Sequence, residues 1–360
     1  MHIHHHRKRS LRSWKGIVKS NFYLSLFTLS LFIFSCCTGK TKPSASADTL
    51  ALAPAPAFVA DTAMAYITAQ CDFGPRVPGS APHEACGDWI VAKFQELGAN
   101  VSQQRTQLSG YDGKSLPCRN ILASVNPDAN DRVLVTAHWD SRAWADNDPD
   151  AANHHTPVPA ANDGASGVAV MLEMARAMQQ QPLAFGIDFV CFDVEDQGTP
   201  QWAEAAMTDE ELEADNNAGG FWCLGSRYWA EQAYGSGYTA RYAVNLDMVG
   251  GRGTRFEMER YSLQFARPLV DLVWHLAGQL GYGDFFPLRR GGYVMDDHVM
   301  VSQLAHVAAI DIIAHADDSR SSFGSTWHTL DDTPENIDPA VLKAVGQTLL
   351  QLLYNDNERP

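Results

Sequence analysis

Basic side chains are scarce in this 360-residue sequence: 27 Lys and Arg stand against 42 Asp and Glu, for a formal charge of −15. Six of them (Arg7, Lys8, Arg9, Arg12, Lys15 and Lys19) precede residue 20, and no acidic residue occurs before Asp48. The other 21 therefore face all 42 carboxylates, and the chain beyond its leader carries −21. A surface so acidic repels nucleic-acid phosphates and anionic headgroups, which excludes both as electrostatic partners. The modest 19% of charged residues and nine Trp exclude a disordered chain. No internal repeat is present, which removes solenoids and propellers. The length fits one large α/β domain or two small ones.

Phe22–Phe34 (FYLSLFTLSLFIF) follows the basic leader as an apolar run of 13 and leads into Ser35-Cys36-Cys37. A basic segment followed by an apolar one reads as an export signal. Ile33-Phe34-Ser35-Cys36 resembles a bacterial lipoprotein signal, with a small residue before the Cys to be lipidated. The alternative is an uncleaved signal anchor, because 20 uncharged residues separate Lys19 from Lys40, about a bilayer's thickness as a helix. We therefore expect residues 1–36 to be a signal segment and the remainder to lie on a periplasmic or cell-envelope face, attached to the membrane only by lipid at Cys36 or by the signal anchor. Residues 37–60, rich in Ala, Pro, Ser and Thr, read as a flexible tether. With Cys36 spent on lipid, Cys37, Cys71, Cys86, Cys118, Cys191 and Cys223 remain, and an oxidising compartment predicts a disulfide among them. Cys191, inside an apolar strand pattern, reads instead as a buried thiol.

From Asp61 to about residue 355 strand and helix patterns alternate. Apolar, β-branched runs at Asn120–Val125, Arg132–Ala137, Ile187–Phe192, Tyr242–Leu246 and Val307–Ile313 read as strands. Helical spacing appears at 81–97, 167–179, 226–233, 263–280 and 339–353, the last opened by Asp338 as a cap and Pro339 in the first turn. The acidic stretch 209–215 with the Asn/Gly run after it reads as a solvated loop. The alternation predicts an α/β/α three-layer sandwich around a mixed, mostly parallel sheet.

Several of these strands end in ionisable residues: RVLVTAH at His138, IDFVCFDVED at Glu195 and Asp196, RYAVNLD at Asp247, and HVAAID at Asp311. Open α/β sheets place their sites at strand carboxyl ends. Asn162-Asp163-Gly164 leads into a helix beside the same edge, and His328 adds a second imidazole. Any one of these has a bland reading: Asp163 as a helix cap, His138 as a buried, satisfied histidine. Together they form an oxygen- and nitrogen-rich set suited to catalytic zinc, and the adjacent Glu195-Asp196 pair offers one carboxylate for a metal and one for protons. Asp140 is placed to orient His138.

TAHWDS (136–141), NDGASG (162–167), FDVEDQG (192–198), NLDMVG (245–250) and WHTLDD (327–332) resemble the successive metal-site motifs of the zinc aminopeptidase superfamily. Gly291–His298 (GGYVMDDH) and Phe323–Asp332 (FGSTWHTLDD) are similar to glutaminyl-peptide cyclotransferases, the animal-type glutaminyl cyclases with bacterial relatives. That resemblance implies one zinc per chain on Asp163, Asp196 and His328, with Glu195 as acid/base and Asp297 and Asp311 in a proton-transfer network. It implies aromatic walls from Trp202, Phe323 and Trp327, and Asp247 near the substrate amino group. The implied reaction converts the N-terminal glutamine of peptides and proteins to pyroglutamate with loss of ammonia, in a protein taken as a monomer. Asp311 departs from the animal pattern, which has a His there, and NDGASG is closer to aminopeptidase wording. His138 stands as a second-site or vestigial ligand; with it the set also satisfies a two-zinc aminopeptidase, which is the alternative reading. A catalytically silent binding domain on the same fold is a more distant third, since no ligand is missing.

Overall fold

The computed structural model describes residues 51–316, 318 and 321–358. The signal segment and Cys36 and Cys37 lie outside these residues. Strands β1 (Asn100–Ser109), β2 (Ser115–Val125), β3 (Arg132–His138), β4 (Gly186–Phe192), β5 (Ala243–Asp247) and β6 (Ala309–Ile313) form one sheet in the order β1-β2-β4-β3-β5-β6. β1, β2 and β4 pair antiparallel, whereas β4, β3, β5 and β6 run parallel, so the mixed sheet expected from the alternation is found. β1 has no counterpart in the sequence reading, because NVSQQRTQLS is an edge strand with no buried residue and hence no apolar alternation to detect.

Helices α1 (Ala60–Cys71), α2 (Ala81–Glu96), α3 (Ala165–Met178), α4 (Gln201–Glu204), α5 (Asp209–Ala218), α6 (Leu224–Ser236), α7 (Arg260–Gln279), α8 (Asp297–Leu304) and α9 (Pro339–Asn357) complete the chain. α5 corrects the expectation of a loop: Asp209, Glu210 and Glu211 occupy its first turn, where the positive helix end favours carboxylates. α7 kinks at Ala266, two residues before Pro268, which has no N–H to continue the helical ladder and whose ring crowds the preceding turn.

Alternate strand residues divide the interior into two layers. Val133, Val135, Ala137, Ile187, Phe189, Cys191, Val244, Leu246, Ile310 and Ile312 join the larger core with α1, α3, α7 and α9. Leu134, Val190, Phe192, Ala243 and Ala309 face α6 and α8. On this second face the apolar pattern breaks: Thr136, Asn245 and Asp311 stand side by side in register across β3, β5 and β6. Thr136 Oγ1 donates to Asn245 Oδ1 (2.6 Å), and Asn245 Nδ2 donates to Asp311 Oδ1 (3.3 Å) and to Asp296 Oδ2 (2.8 Å). Asp311 is thus a mid-strand residue facing α8, not a strand-end residue at the rim.

Two further expectations change. Residues 51–59, read as part of a tether, are laid along α9: Ala53 N and Phe58 N donate to Asn355 Oδ1 and Gln347 Oε1 (both 2.9 Å), and Phe58 is buried. Among the described residues there is no disulfide; Cys71, Cys86, Cys118, Cys191 and Cys223 are all free thiols, four of them buried. Cys191 is the buried strand thiol the sequence predicted.

Candidate metal centre and pocket

The parallel strands deliver His138 at the end of β3 and Asp247 at the end of β5, while the loop after β4 carries Glu195 and Asp196. Asp163 arrives from the segment before α3. That segment can lie against β3 only because Gly164 has no side chain: a Cβ there would come within 2.6 Å of the His138 carbonyl oxygen. Asp332 clamps it from the far side, its carboxylate accepting from the backbone N–H groups of Asn162 (2.8 Å) and Asp163 (3.0 Å). His328 enters four residues before Asp332, so one short segment both supplies an imidazole and fixes the Asp163 turn.

Asp163 sits between two histidines. Its Oδ1 lies 2.9 Å from His138 Nε2 and its Oδ2 lies 3.6 Å from His328 Nε2. Asp196 Oδ1 is 3.0 Å from the same His328 nitrogen, and Asp247 Oδ1 is 3.2 Å from His138 Nε2. Two clusters able to hold a cation result, Asp163–Asp196–His328 and His138–Asp163–Asp247, sharing Asp163. In the first, Asp163 Oδ2 and Asp196 Oδ2 are buried and accept no hydrogen bond. Buried carboxylate oxygens without donors are costly, and this N,O,O set with no thiolate fits a zinc ion that keeps an open coordination position.

The surroundings hold these groups in charged or proton-sharing states. Burial raises the Glu195 carboxyl well above its ordinary range, and the Asp297 and Asp196 charges add to that against the opposing His138. Burial also lifts Asp247, to about 7, with Asp296 and Asp163 contributing. Burial opposes protonation of His328, but Asp196 and Asp146 outweigh it and raise the imidazole. Asp140 Oδ1 lies 3.5 Å from His138 Nδ1, and its carboxylate also accepts from the Glu195 (3.1 Å) and Asp196 (3.3 Å) N–H groups, so it fixes the turn that carries both carboxylates.

The backbone around the site is held in unusual conformations. Val194, Cys223, Met248 and His328 have positive φ of 55°, 57°, 51° and 54°. Each costs about 1–3 kcal/mol, more for a β-branched residue such as Val194, and persists only because the surrounding packing fixes it.

A cavity of about 330 Å³ opens over Asp163, Glu195, Asp196, Asp247 and His328. Phe323 and Trp327 wall it as anticipated, their rings 5.2 Å apart. Trp202 does not line it: it is half-buried on α4, edge-on to Trp144 at 5.8 Å and 4.4 Å from the His155 ring. Trp222 takes that wall, its ring parallel to His328 at 5.9 Å and covered by the Arg142 guanidinium at 4.7 Å. Nothing in the local pattern GGFWCLG distinguished it; its position depends on Gly198, where a Cβ would meet the indole at 2.0 Å.

Asp297 is likewise displaced by its neighbour. Asp296, extended at φ −151° as the cap of α8, faces the cavity, whereas Asp297 is the first helical residue and is buried behind it. Burial and then Asp296 push the Asp297 carboxyl well up. Asp311 sits behind Asp296 in the same acidic group and does not reach the cavity. Two residues the sequence did not mark complete the support: Arg142, fully buried, donates to both oxygens of Asp146 (2.7 and 2.6 Å), and Asp146 Oδ1 lies 3.6 Å from His328 Nδ1.

Comparison with known proteins agrees with this geometry. Residues 120–353 match the model of peptidase family M28. The fold is similar to a Zn-dependent exopeptidase from Parabacteroides distasonis ATCC 8503 (44% identity, TM-score 0.78, covering 84% of this chain and 100% of that one). It is equally similar to the glutaminyl cyclase of Bacteroides thetaiotaomicron, solved with N-acetylhistamine bound (45% identity, TM-score 0.77, covering 84% and 99%). Among curated proteins, the uncharacterized protein YfbL of Escherichia coli strain K12 is 33% identical over 109 residues, 30% of this chain and 31% of that protein, so the match spans about a third of that relative. The family match runs from within β2 to within α9 and takes in both candidate cation clusters, and on that ground the chain belongs to peptidase family M28.

Proposed function

We propose that this protein cyclises the N-terminal glutamine of peptides and proteins to pyroglutamate, releasing ammonia. The observation that carries the reading is Glu195, one residue from a ligand of the Asp163–Asp196–His328 cluster and inside a small cavity walled by Trp222, Phe323 and Trp327. The glutaminyl cyclase relative, matched along nearly its whole length, supports it.

Asp163, Asp196 and His328 would hold one zinc ion, which would supply a Lewis acid for the glutamine side-chain carbonyl. The aromatic walls hold that side chain folded back, so that the α-amine sits within about 3–3.5 Å of the carbonyl carbon, the approach cyclisation requires. They also exclude the water that would divert the reaction to hydrolysis. Glu195 takes a proton from the amine as the new C–N bond forms and returns one to the leaving nitrogen as the old bond breaks. Its raised affinity for protons suits that double duty. Asp247 and Asp296, on the same cavity wall, receive the amino group. Export through the leader, with lipid at Cys36, is part of the same proposal and places the enzyme where secreted chains expose new N-termini.

A second reading rests on one observation: His138–Asp163–Asp247 forms a further cluster sharing Asp163, as a two-metal aminopeptidase needs. A single experiment separates the two. Purified protein is given a Gln-Ala peptide and a Leu-anilide, and ammonia and free amine are followed in parallel with zinc content. Ammonia alone, with one zinc per chain, is the expected result; anilide cleavage without ammonia, with two zinc ions, would overturn it.

A further inference from the structure

Behind the catalytic cavity the structure continues where the proposed chemistry stops. We infer that His298 and Glu259 extend the acidic group at Asp296 and Asp311 into a proton relay ending at a second cavity. This rests on the cyclisation reading and adds a route to it.

The parts lie in contact from one cavity to the other. Asp296 lines the catalytic cavity, and Asn245 Nδ2 donates to both Asp296 (2.8 Å) and Asp311 (3.3 Å). Asp296, His298 and Asp311 offer ligand-type atoms all within 4.8 Å of one another. Asp311 Oδ2 and His298 Nδ1 are 3.5 Å apart, both fully buried, and neither has a hydrogen-bond partner. Two buried polar atoms facing each other without a hydrogen bond are costly, and a proton placed between them would relieve that cost. The other face of the imidazole, Nε2, is 3.1 Å from Glu259 Oε2. Glu259 is fixed by the N–H groups of Tyr261 (2.8 Å), Ser262 (2.6 Å) and Val294 (3.0 Å), and it lines a cavity of about 160 Å³. That cavity reaches the surface between exposed Gly292, Tyr293 and Ser322.

Two features of the group fit transfer. Burial, with Asp296 next, raises the Asp311 carboxyl well above its ordinary range, so its affinity for a proton is strengthened. Burial would raise Glu259 too, but His298 and the Ser262 and Tyr261 N–H groups outweigh it and keep Glu259 low, so the far end is an anion that, once protonated, gives up the proton readily to water.

Proton counting says why such a route is useful. A peptide arrives mainly as its α-ammonium, whose nitrogen gives up two protons on becoming the ring amide nitrogen. One goes to the leaving nitrogen as its C–N bond breaks, making neutral ammonia, and the other is surplus. Substrate seated in the catalytic cavity displaces the water that would otherwise take this proton. The surplus proton passes to Asp296, through Asp311 and His298 to Glu259, and then to water in the second cavity, each group ending as it began.

Glu259→Gln, which keeps an acceptor for the helix cap, should lower kcat for ammonia release about tenfold with KM unchanged, a modest share of what acid–base groups contribute. Formate, a carboxylate small enough for the second cavity and a far weaker zinc ligand than imidazole, should restore kcat saturably in that variant and leave the wild type unaffected. His298→Gln should lower kcat similarly without rescue, because the break is then buried. Unaltered kcat in both variants, or a Glu259→Gln loss that ignores formate at wild-type Tm, would overturn the relay. A comparison supplies an independent measurement: kcat in H₂O/D₂O mixtures should curve more strongly with deuterium fraction in the wild type than in His298→Gln, and equal curvature in the two would overturn the relay. Absence of ammonia release from the wild type would remove the cyclisation reading itself, a different result from any of these.

Discussion

Asp146 shows how much of the site depends on side chains that never touch substrate. Its carboxyl is held far below the ordinary range against its own burial, by Arg142 and then His328, and it faces the nitrogen of His328 that points away from the cation cluster. Asp146→Asn should leave the fold intact and weaken zinc binding about 10- to 100-fold, the usual cost of losing a carboxylate behind a metal-binding histidine; competition with a chelator would measure it. Trp222→Ala should raise KM and lower kcat/KM by about tenfold or more as the wall beside His328 opens, while Trp202→Ala should change either by less than about twofold. Asp332 has a pH signature. Burial, with Asp163 next, lifts its carboxyl to about 7, above the ordinary Asp value near 4. Its folded form binds the proton more tightly, so its contribution to stability is complete below about pH 4 and is lost as pH rises through 7. The Tm of the wild type relative to Asp332→Asn should therefore fall between pH 5 and pH 8. At this scale sequence found residue types better than positions. Asp296 and Asp297 are adjacent and identical in chemistry, and only the extended backbone of the first and the helical backbone of the second decide which faces the cavity.

Elements were legible in proportion to the apolar face they bury. β3, β4, β5 and β6 are buried throughout or nearly so, and their β-branched runs stand out. α9 announced itself by Asp338, whose carboxylate accepts from Ala340 N–H at 2.9 Å, and by Pro339. β1 and α5 gave no such signal, one being a polar edge and the other an acidic surface helix. Residues 51–59 were misread for a related reason: their Ala/Pro composition matches a linker, and only Phe58 carries the packing. Its ring lies against Gly346, where a Cβ would come within 2.1 Å of it. Phe58→Ala should cost about 3–5 kcal/mol, the range for removing a buried phenylalanine, read as a lower midpoint in urea unfolding.

At the scale of the molecule, the five described cysteines separate compartment from chemistry. Burial raises each thiol, Cys86 to about 12, so none is a ready nucleophile near neutral pH even in an oxidising space. Thiol reductant should leave the Tm unchanged, and a chromogenic disulfide reagent should label the native protein slowly and the urea-unfolded protein at once. The segment laid along α9 has a wider meaning. Ala53 and Asn355, 302 residues apart in sequence, are joined by a 2.9 Å hydrogen bond, so the described fold begins where it ends. The described part of the chain is in effect a closed loop cut at one point of its circumference. A short peptide bridging those ends would let the cut be moved to the exposed turn at Asp112–Gly113, between β1 and β2, with every strand neighbour and every cavity-lining side chain kept in place. The order in which the catalytic motifs occur along the gene would change, and the enzyme would not.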